Sequence, residues 1–244
     1  MTDSNYWKQR AERYNNLDWV NSQTFMKAII SAGKFKPSDW VLDVGTGTGV
    51  VAYAVAPLVK YVTAIDNSPD MMDKINHKPV NVMYKVCDAT NIQWKEETFD
   101  KVVARYVFHH IIEGTQKAMD ECYRVLKPGG LMVFAEGVPP SKRTKRDFVN
   151  IFRFKEDRLT FMPRDMENLM ITSGLKPLTT TLLKLKRMSI KNWLDSSDLD
   201  TGSQARIYAM HVNAPQYFKD DYDMVITDDD SLISMTVAIV VGVK

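Results

Sequence analysis

The sequence predicts an α/β protein whose sheet is mostly parallel and is covered by helices on both faces. Two observations carry this prediction. Short apolar segments alternate with amphipathic ones between about residues 39 and 137, a pattern typical of parallel strands joined by crossover helices. In addition, the glycine-rich turn "GTGTG" directly follows the first apolar segment of this region, at the edge where such sheets bind ligands.

Each element of this region has its own signal. Two helices are expected before the sheet, the second from Asn21 to Ala32 with a stop at Gly33. Five strands are then expected, over WVLDVG, YVTAID, VNVMYKVCDA, FDKVVARY and GLMVFAEG. Helices are expected between them over Gly49 to Leu58, Pro69 to Ile75 and GTQKAMDECYRVL, the last stopped by the breaker Lys127-Pro128-Gly129-Gly130.

Beyond Glu136 the alternation loosens. A helix is expected over Pro163 to Ser173, a strand over LKPLTTTLLKLKRMSI and one or two helices over NWLDSSDLDTGSQARIYAMHVNAP. The segment DMVITDDDSLISMTVAIVVGVK predicts a terminal hairpin around an acidic turn. No repeat or flexible linker interrupts the chain, so we predict one domain over residues 1–244.

Composition argues against several classes of function. The 32 basic and 30 acidic residues leave a formal net charge of +2, which gives no electrostatic footprint for nucleic acid or an anionic membrane. The longest apolar run, MTVAIVVGV, is too short to span a bilayer. Two cysteines, Cys87 and Cys122, suit a reducing compartment, and the first residues show no apolar signal core. We therefore expect a soluble, cytoplasmic protein.

The glycine turn distinguishes between kinds of nucleotide site. Its pattern is G-x-G-x-G, with glycines at 45, 47 and 49 and Val50 where the dinucleotide fingerprint has its third glycine. No Gly-Lys-Ser/Thr follows, so a P-loop is excluded. Asp66 ends the next strand about twenty residues on, where a carboxylate accepts ribose hydroxyls. Asp88 and Ala89 follow the third strand, at the adjacent carboxyl edge, placed to meet an adenine.

These motifs make the sequence similar to the class I S-adenosylmethionine-dependent methyltransferases, in particular to the ubiquinone/menaquinone-biosynthesis group. The similar segments are VLDVGTGTG, AIDNSPDMM, CDAT, FDKVVARYVFHHI and RVLKPGGLMVFAE, over residues 39 to 137. The resemblance implies a Rossmann-like, seven-stranded sheet whose last strand is antiparallel, with a helical lid. It also implies S-adenosyl-L-methionine as the cofactor and S-adenosyl-L-homocysteine as its product.

The resemblance also assigns roles to single residues and segments. Residues 1–35 would form a helical cover, 36–137 the cofactor-binding core, and 138–244 the lid segments and closing strands. The glycine turn would line the methionine end of the cofactor, Asp66 would bind the ribose, and Asp88 would bind the adenine amino group. The full set of expected cofactor-binding residues is Tyr14, Asp43, Gly45, Thr46, Gly47, Gly49, Asp66, Asn67, Met71, Asp88, Ala89 and Arg105.

Candidate catalytic residues come from "RYVFHHI", since the loop after the fourth strand faces the transferred methyl group in this fold. His109 and His110 have the pKa range of a proton acceptor, although either could simply pack at a helix start. Arg105 could bind the methionine carboxylate or a substrate anion, or form a surface ion pair; Tyr106 ends the same strand. His211 would reach the pocket only if its helix forms the lid, and is otherwise an exposed helical residue.

Two further features near the site have open interpretations. Tyr6, Trp7, Arg10 and Tyr14 would cover the cofactor or pack as an amphipathic helix. The run Lys142, Arg143, Lys145 and Arg146 would meet an anionic substrate or lie in solvent.

The predicted function is methyl transfer to a small organic molecule by in-line displacement, without a metal and without nucleic-acid or membrane partners. The alternatives are methylation of RNA or protein, and cofactor binding without turnover. A nicotinamide oxidoreductase is disfavoured by Val50.

Overall fold

The computed structural model describes residues 4–244, with side chains from Tyr6 onward. Its strands are, in chain order, β1 (Trp40–Val44), β2 (Tyr61–Asp66), β3 (Val82–Val86), β4 (Phe99–Arg105), β5 (Leu126–Val138), β6 (Lys176–Ser189), β7 (Val225–Ile226) and β8 (Ser231–Val243). All five strands expected before residue 138 are present, so the alternation of apolar segments was a reliable signal for the core.

Ten α-helices are present among the described residues. They are α1 (Ser4–Tyr14), α2 (Gln23–Gly33), α3 (Val50–Val55), α4 (Pro69–Met72), α5 (Thr115–Val125), α6 (Lys145–Phe152), α7 (Pro163–Ser173), α8 (Ile190–Asp195), α9 (Thr201–Val212) and α10 (Gln216–Asp221). Short 3-10 turns lie at Ala56–Leu58 and Phe108–His110. None of the helices within residues 4–244 has the length and apolar character that crossing a membrane requires.

The sheet follows the order β3-β2-β1-β4-β5-β8-β6, and the two-residue β7 pairs with β8 outside this path. β8 is antiparallel to both β5 and β6, whereas the other neighbours on the path are parallel. The predicted seven-stranded sheet with an antiparallel last strand is therefore confirmed, with β7 as an eighth, minor strand. The predicted terminal hairpin is also present, although its first strand is only two residues long.

Strand order reverses between β1 and β4, because the chain extends outward through β2 and β3 before it returns. Val44 of β1 pairs with Ile65 of β2 and with Ala104 of β4, so the carboxyl ends of these three strands are level. From this point the loops after β1 and β4 run in different directions, and a crevice lies between them. The glycine turn and the histidines thus flank one crevice.

Apolar side chains cover both faces of the sheet. On one face, α5 and α7 bury residues such as Met119 and Met166 against Phe134. On the other face, α2 and α3 bury Phe25 and Val55. A third cluster joins α6, α8, α9 and α10, which we call the lid helices. Burial on both faces explains why the central strands are continuous apolar runs rather than alternating ones.

Two element boundaries differ from the prediction. α2 ends at Gly33, but the left-handed cap is Lys34, with φ of 47°. At Gly33, a Cβ would lie 2.4 Å from the Phe35 ring, so this ring would have to move to admit a larger residue. The Lys127-Pro128-Gly129-Gly130 breaker is not a free loop; it lies inside β5 as an irregularity in the pairing with β4.

Candidate active site

The turn between β1 and α3 is shaped by its glycines. Gly45, Gly47 and Gly49 have φ values of 67°, 54° and 83°, in the left-handed region that strains other residues. Gly45 has a second constraint, because a Cβ on it would lie 2.3 Å from Cγ2 of Val107, just after β4. The turn therefore lies directly against the end of β4.

Asp66 ends β2 and reaches the same turn. Its Oδ2 accepts the N–H of Gly47 at 2.8 Å, and its Oδ1 accepts the N–H of Ser68 at 2.9 Å. Burial raises the pKa of Asp66, and these N–H donors act against that rise. A carboxylate has lone pairs beyond these two bonds, so Asp66 can fix the turn and still accept hydroxyl groups of a ligand.

The residues predicted to meet an adenine lie around this edge. Asn67 is exposed and Met71 is buried, with its Cε 3.3 Å from the point where a Gly47 Cβ would lie. Asp88 follows β3, is exposed, and accepts the N–H of Thr90 at 2.7 Å. Ala89 beside it is partly buried. Asn67 and Asp88 are thus open to a ligand, while Met71 forms part of the floor.

Asp43 and Thr46 fix the interior of the turn. Oδ2 of Asp43 accepts the Thr46 hydroxyl at 2.7 Å and the N–H of Ala52 at 3.1 Å. Burial raises the pKa of Asp43 to about 7. These bonds connect the turn to α3, so this oxygen of Asp43 is engaged within the protein.

Arg105 is buried at the end of β4. Its Nη2 donates to the carbonyl oxygens of Trp19 and Val20 at 2.9 and 3.1 Å, and its guanidinium lies 4.9 Å from the Phe25 ring centre. Burial lowers the pKa of Arg105. The alternative that Arg105 forms a surface ion pair is therefore wrong. Through Nη2, the guanidinium binds the segment between α1 and α2 to the end of β4.

Tyr106 has a strained backbone, with φ of 55°. Its ring packs edge-on against Trp19 and Phe25, with centroids 4.6 and 5.3 Å away, and its buried hydroxyl has no partner among the described residues. Burial raises the pKa of the Tyr106 hydroxyl. Strain and an unpaired hydroxyl at one residue are features that concentrate at functional sites.

His109 forms a buried pair with Glu136 of β5. Its Nδ1 lies 2.6 Å from Oε2 of Glu136, and its backbone N–H donates to Oε1 at 3.3 Å. Burial raises the pKa of Glu136 to about 8 and holds the pKa of His109 well below its usual range. Since Nδ1 is occupied, Nε2 is the ring nitrogen left for a group in the cavity.

His110 lies beside His109, with the ring centroids 4.0 Å apart, and packs edge-on against Trp7 of α1 at 4.7 Å. Its buried Nδ1 has no partner among the described residues, and burial lowers its pKa strongly. Trp7 of α1 thus covers His110.

No carboxylate–histidine cluster is visible in the sequence, but the structure forms one. His109, His110 and Glu156 bring potential ligand atoms within 4.8 Å of one another. Glu156, however, is already bound to Arg10 and Lys155. A divalent cation would have to enter beside these positive charges, so the electrostatics of this cluster disfavour a metal.

α1 and Asn15, the residue directly after it, contact both sides of the crevice. The hydroxyl of Thr48 in the glycine turn donates to Oδ1 of Asn15 at 2.6 Å, and Arg10 binds Glu156. Between them, Tyr14 stacks edge-on against Trp19 at 5.6 Å, and burial raises the pKa of its hydroxyl. Tyr14 also lines the cavity at the end of β4.

A cavity opens at the end of β4 and extends beneath α1 and the lid helices. Its walls are mainly apolar and aromatic: Trp19, Tyr106, Phe148, Ile151, Phe152, Met188, Trp193, Phe218 and Tyr222. Four charged residues, Arg10, Lys155, Glu156 and Arg158, meet near the histidines, and the other polar lining residues are Asp18, Ser189, Asn192, His211 and Thr236. An enclosed apolar space with a few converging polar groups is the usual form of a small-molecule site.

Two expectations about the lid need correction. His211 is not an exposed helical residue; it lines the cavity, its Nδ1 lies 2.9 Å from the carbonyl of Ile207, and burial lowers its pKa to about 4. The basic run 142–146 does not line the cavity. Within it, Arg143 binds Asp221 at the surface, and Lys145 lies 3.5 Å from Asp165.

Residues 42–134 match the family model described as a methyltransferase domain. Over this segment the chain is similar to methyltransferases. The resemblance to class I methyltransferases is thereby confirmed over the segment that holds the glycine turn, both acidic strand ends and the histidines. The matched segment ends just before Glu136, so it does not include the lid and the cavity residues beyond this point.

The chain is also similar to a ubiquinone/menaquinone biosynthesis C-methyltransferase of Geotalea daltonii. The two are 30% identical over 143 residues, which is 53% of this chain and 60% of that protein. An uncharacterized methyltransferase of Bacillus subtilis, YcgJ, is 26% identical over 62% of this chain and 61% of its own length. The matches thus span about three fifths of these relatives.

Solved structures show the same fold across most of the chain. The YcgJ protein from Bacillus subtilis has a TM-score of 0.78 at 18% identity, covering 91% of this chain and 99% of that one. A phosphoethanolamine N-methyltransferase 2 of Haemonchus contortus, in complex with S-adenosyl-L-methionine, has a TM-score of 0.62 at 18% identity, covering 94% and 56%.

Several site residues were missed from the sequence. Glu136 could have been found, because it is a lone acid in the apolar run VFAEG at the carboxyl edge of a strand. Lys155, Glu156 and Arg158 carried no such signal, since KEDR in a polar segment reads as solvated surface. Their burial depends on α1, which is about 146 residues away in sequence.

Proposed function

We propose that this protein transfers a methyl group from S-adenosyl-L-methionine to a small organic acceptor bound in the cavity. The observation that carries the proposal is the position of this cavity: it starts at Tyr106 and His109, directly beside the glycine turn, and is enclosed by α1 and the lid helices. An enclosed aromatic space suits a small molecule better than an RNA or protein chain.

The cofactor fits the carboxyl edge of β1 to β3. The positive-φ turn keeps Cβ atoms away from the crevice, Asp66 retains acceptor capacity for ribose hydroxyls, and Asp88 is open to an adenine amino group. Bound there, S-adenosyl-L-methionine supplies an electrophilic methyl group on a positively charged sulfur. The methyltransferase family and the cofactor named in the Haemonchus complex support this assignment.

The chain's own residues would align the acceptor and remove its proton. Holding a nucleophile about 3 Å from the methyl group is worth several kcal/mol. For a hydroxyl acceptor, Nε2 of His109 is placed to take the proton while Glu136 holds the ring through Nδ1. The quinone relatives and the phosphoethanolamine methyltransferase suggest small acceptors.

The proposal extends to the remaining expectations. The chain would act as one domain, with residues 1–35 as cover and 138–244 as lid segments and closing strands. Cys87 and Cys122 are both free and buried, which supports a cytoplasmic setting.

Calorimetric titration with S-adenosyl-L-methionine, S-adenosyl-L-homocysteine and NADH tests the cofactor. We expect the two sulfur nucleosides to bind and NADH not to bind.

Asp66→Ala should weaken nucleoside binding by roughly 1.5–3 kcal/mol, the scale of a hydrogen bond to a charged group. Asp73→Ala, which removes an exposed carboxylate after α4, should leave affinity unchanged. Unaltered affinity in Asp66→Ala would contradict the site assignment.

Transfer itself needs a separate measurement. With a methyl-labelled cofactor, label should move to small acceptors but not to bulk RNA or to unrelated proteins. Label on RNA or protein would favour the macromolecular alternative, and tight nucleoside binding without transfer to any acceptor would favour binding without turnover.

A further inference from the structure

A cluster of charged side chains is buried at the polar end of the cavity. Glu156 accepts Nη1 of Arg10 at 2.9 Å, Nζ of Lys155 at 2.6 Å and Nη1 of Arg158 at 3.4 Å. The Tyr6 hydroxyl also donates to it. All four charged side chains are at most 8% exposed, so solvent does little to screen them.

The charges in this cluster do not balance. Three cations surround one carboxylate, and among the described residues neither of the two other acids near the cavity, Glu136 and Asp18, forms an ion pair with them. Glu136 has its pKa raised to about 8 by burial, so it carries a proton at neutral pH. Asp18, at the cavity wall, accepts the N–H of Ser189 at 3.0 Å, and even with its charge counted the cations outnumber the carboxylates. Buried charge without a counter-charge is costly, so the cavity favours entry of an anion.

Hydrogen-bond donors are also in excess. The Nε of Arg10 is buried and has no partner among the described residues. Nζ of Lys155 donates to Glu156 and, within residues 4–244, to no other acceptor. The guanidinium of Arg158 uses Nε for the carbonyl of Leu159 and Nη1 for Glu156, leaving Nη2. One carboxylate cannot accept all these N–H groups.

Aromatic rings lie directly beside the cations. The Arg158 guanidinium is 4.3 Å from the centre of the Phe152 ring, and Nζ of Lys155 is 5.2 Å from the Trp193 ring. Both rings line the same cavity. A ligand that fills this space therefore meets cationic donors at one end and apolar or aromatic surface along its body.

We propose that the methyl acceptor is an anionic small molecule, whose carboxylate or phosphate group is bound by Arg10, Lys155 and Arg158 and whose apolar body lies against Phe152 and Trp193. This inference rests on the proposed methyl transfer at the same cavity. Arg10 gives it a further consequence: because α1 supplies this cation and Asn15, directly after α1, contacts the glycine turn, the anion and the cofactor would be closed in by one N-terminal segment.

The native protein, saturated with S-adenosyl-L-homocysteine, provides the first test. Calorimetry would compare phenylacetate and phenyl phosphate with neutral phenylacetamide, which has a similar body. We expect at least one anion to bind tenfold or more tightly than the amide, and the stronger of the two identifies the group as carboxylate or phosphate. Equal affinities, or no binding of either anion, would overturn the proposal.

Variants locate the binding groups. Arg158→Met and Lys155→Met should each weaken binding of the preferred anion at least tenfold and leave S-adenosyl-L-homocysteine binding within twofold. Arg164→Met is the matched control, since Arg164 is 75% exposed on α7. If one variant fails to fold in a thermal melt, the other and the native anion–amide comparison still decide. Anion binding insensitive to both variants would refute this site.

The same titrations separate the two proposals. A protein that does not bind the sulfur nucleoside contradicts the proposed function. A protein that binds the nucleoside but shows no preference for anions contradicts only the inference about the acceptor.

Discussion

The pairing of His109 with Glu136 decides what the histidine can do. When Glu136 is protonated, it donates to Nδ1, and the imidazole carries its own proton on Nε2. When Glu136 is ionised, Nδ1 holds the ring proton and Nε2 presents a lone pair. Only the second form can accept a proton from an acceptor hydroxyl. Because burial raises the pKa of Glu136 to about 8, the first form is favoured at neutral pH.

This predicts a pH dependence at the scale of one residue. The Nε2 atom of His109 should lose its proton as pH rises through about 8, which is the apparent value of the pair rather than of either group. Ring nitrogen-15 shifts between pH 6 and 9 measure it without turnover. Glu136→Gln should abolish the transition and lower transfer to a hydroxyl acceptor by about a hundredfold.

The control for this experiment is Glu12→Gln, which changes an exposed glutamate, 68% accessible, that is bound to Lys74. It should keep both the transition and the rate. A His109 ring that titrates in the same way in Glu136→Gln would show that the buried carboxyl does not set its protonation.

At the scale of elements, the glycine turn is held by what surrounds it. Gly45 combines a positive φ with contact to Val107, whereas Gly129, in the irregularity of β5, has φ of 75° but no atom within 4 Å of its Cβ position. Substitution of Gly129 therefore tests the cost of the positive φ alone, whereas substitution of Gly45 tests that cost together with overlap on Val107.

We expect Gly129→Ala to cost about 1–2 kcal/mol of unfolding free energy, the scale of a left-handed alanine. Gly45→Ala should cost more, because Val107 must also move, and it should weaken cofactor binding by displacing the turn. Urea unfolding and calorimetry measure both effects. Equal losses of stability in the two variants would mean that the Val107 contact relaxes without cost.

At the scale of the whole molecule, burial of ionisable groups links stability to pH. The pKa values of Asp43 and Glu136 are raised to about 7 and about 8 in the folded state, from 3.8 and 4.5. The folded protein therefore holds extra protons, and their stabilisation is present at low pH and lost as pH rises through these values. His109 and His211 have lowered pKa values and act in the opposite direction, below their ordinary value of 6.5.

Stability should consequently fall between pH 6.5 and 8, by at most about 1.4 kcal/mol per pH unit for each acid. Lys155, with its pKa lowered to about 8 from 10.5, acts in the opposite direction near the upper end of this window, because the folded state loses that proton before the unfolded state does, so the fall should flatten toward pH 8. Urea unfolding at pH 6.5, 7.2 and 8 measures the slope. The double variant Asp43→Asn, Glu136→Gln should flatten it; an unchanged slope would mean that other groups bind the extra protons.

The sequence by itself determined the sheet, the glycine turn and the acidic strand ends. These depend on local signals, namely apolar runs buried on both faces and glycines next to a strand end, and neighbouring residues are enough to specify them. The ends of helices were predicted less exactly. At the end of α2 the left-handed cap is Lys34 rather than a glycine, and a lysine does not favour that conformation.

Only the tertiary structure decided the acceptor side of the site. Arg10 and Glu156 meet across 146 residues, and Glu136 reaches His109 from the next strand of the sheet. A charged residue in a polar segment has the same local pattern whether it is solvated or buried, so periodicity cannot distinguish the two. The packing of α1 and the lid helices makes that distinction, because it removes water from these charges and so sets their pKa values and partners.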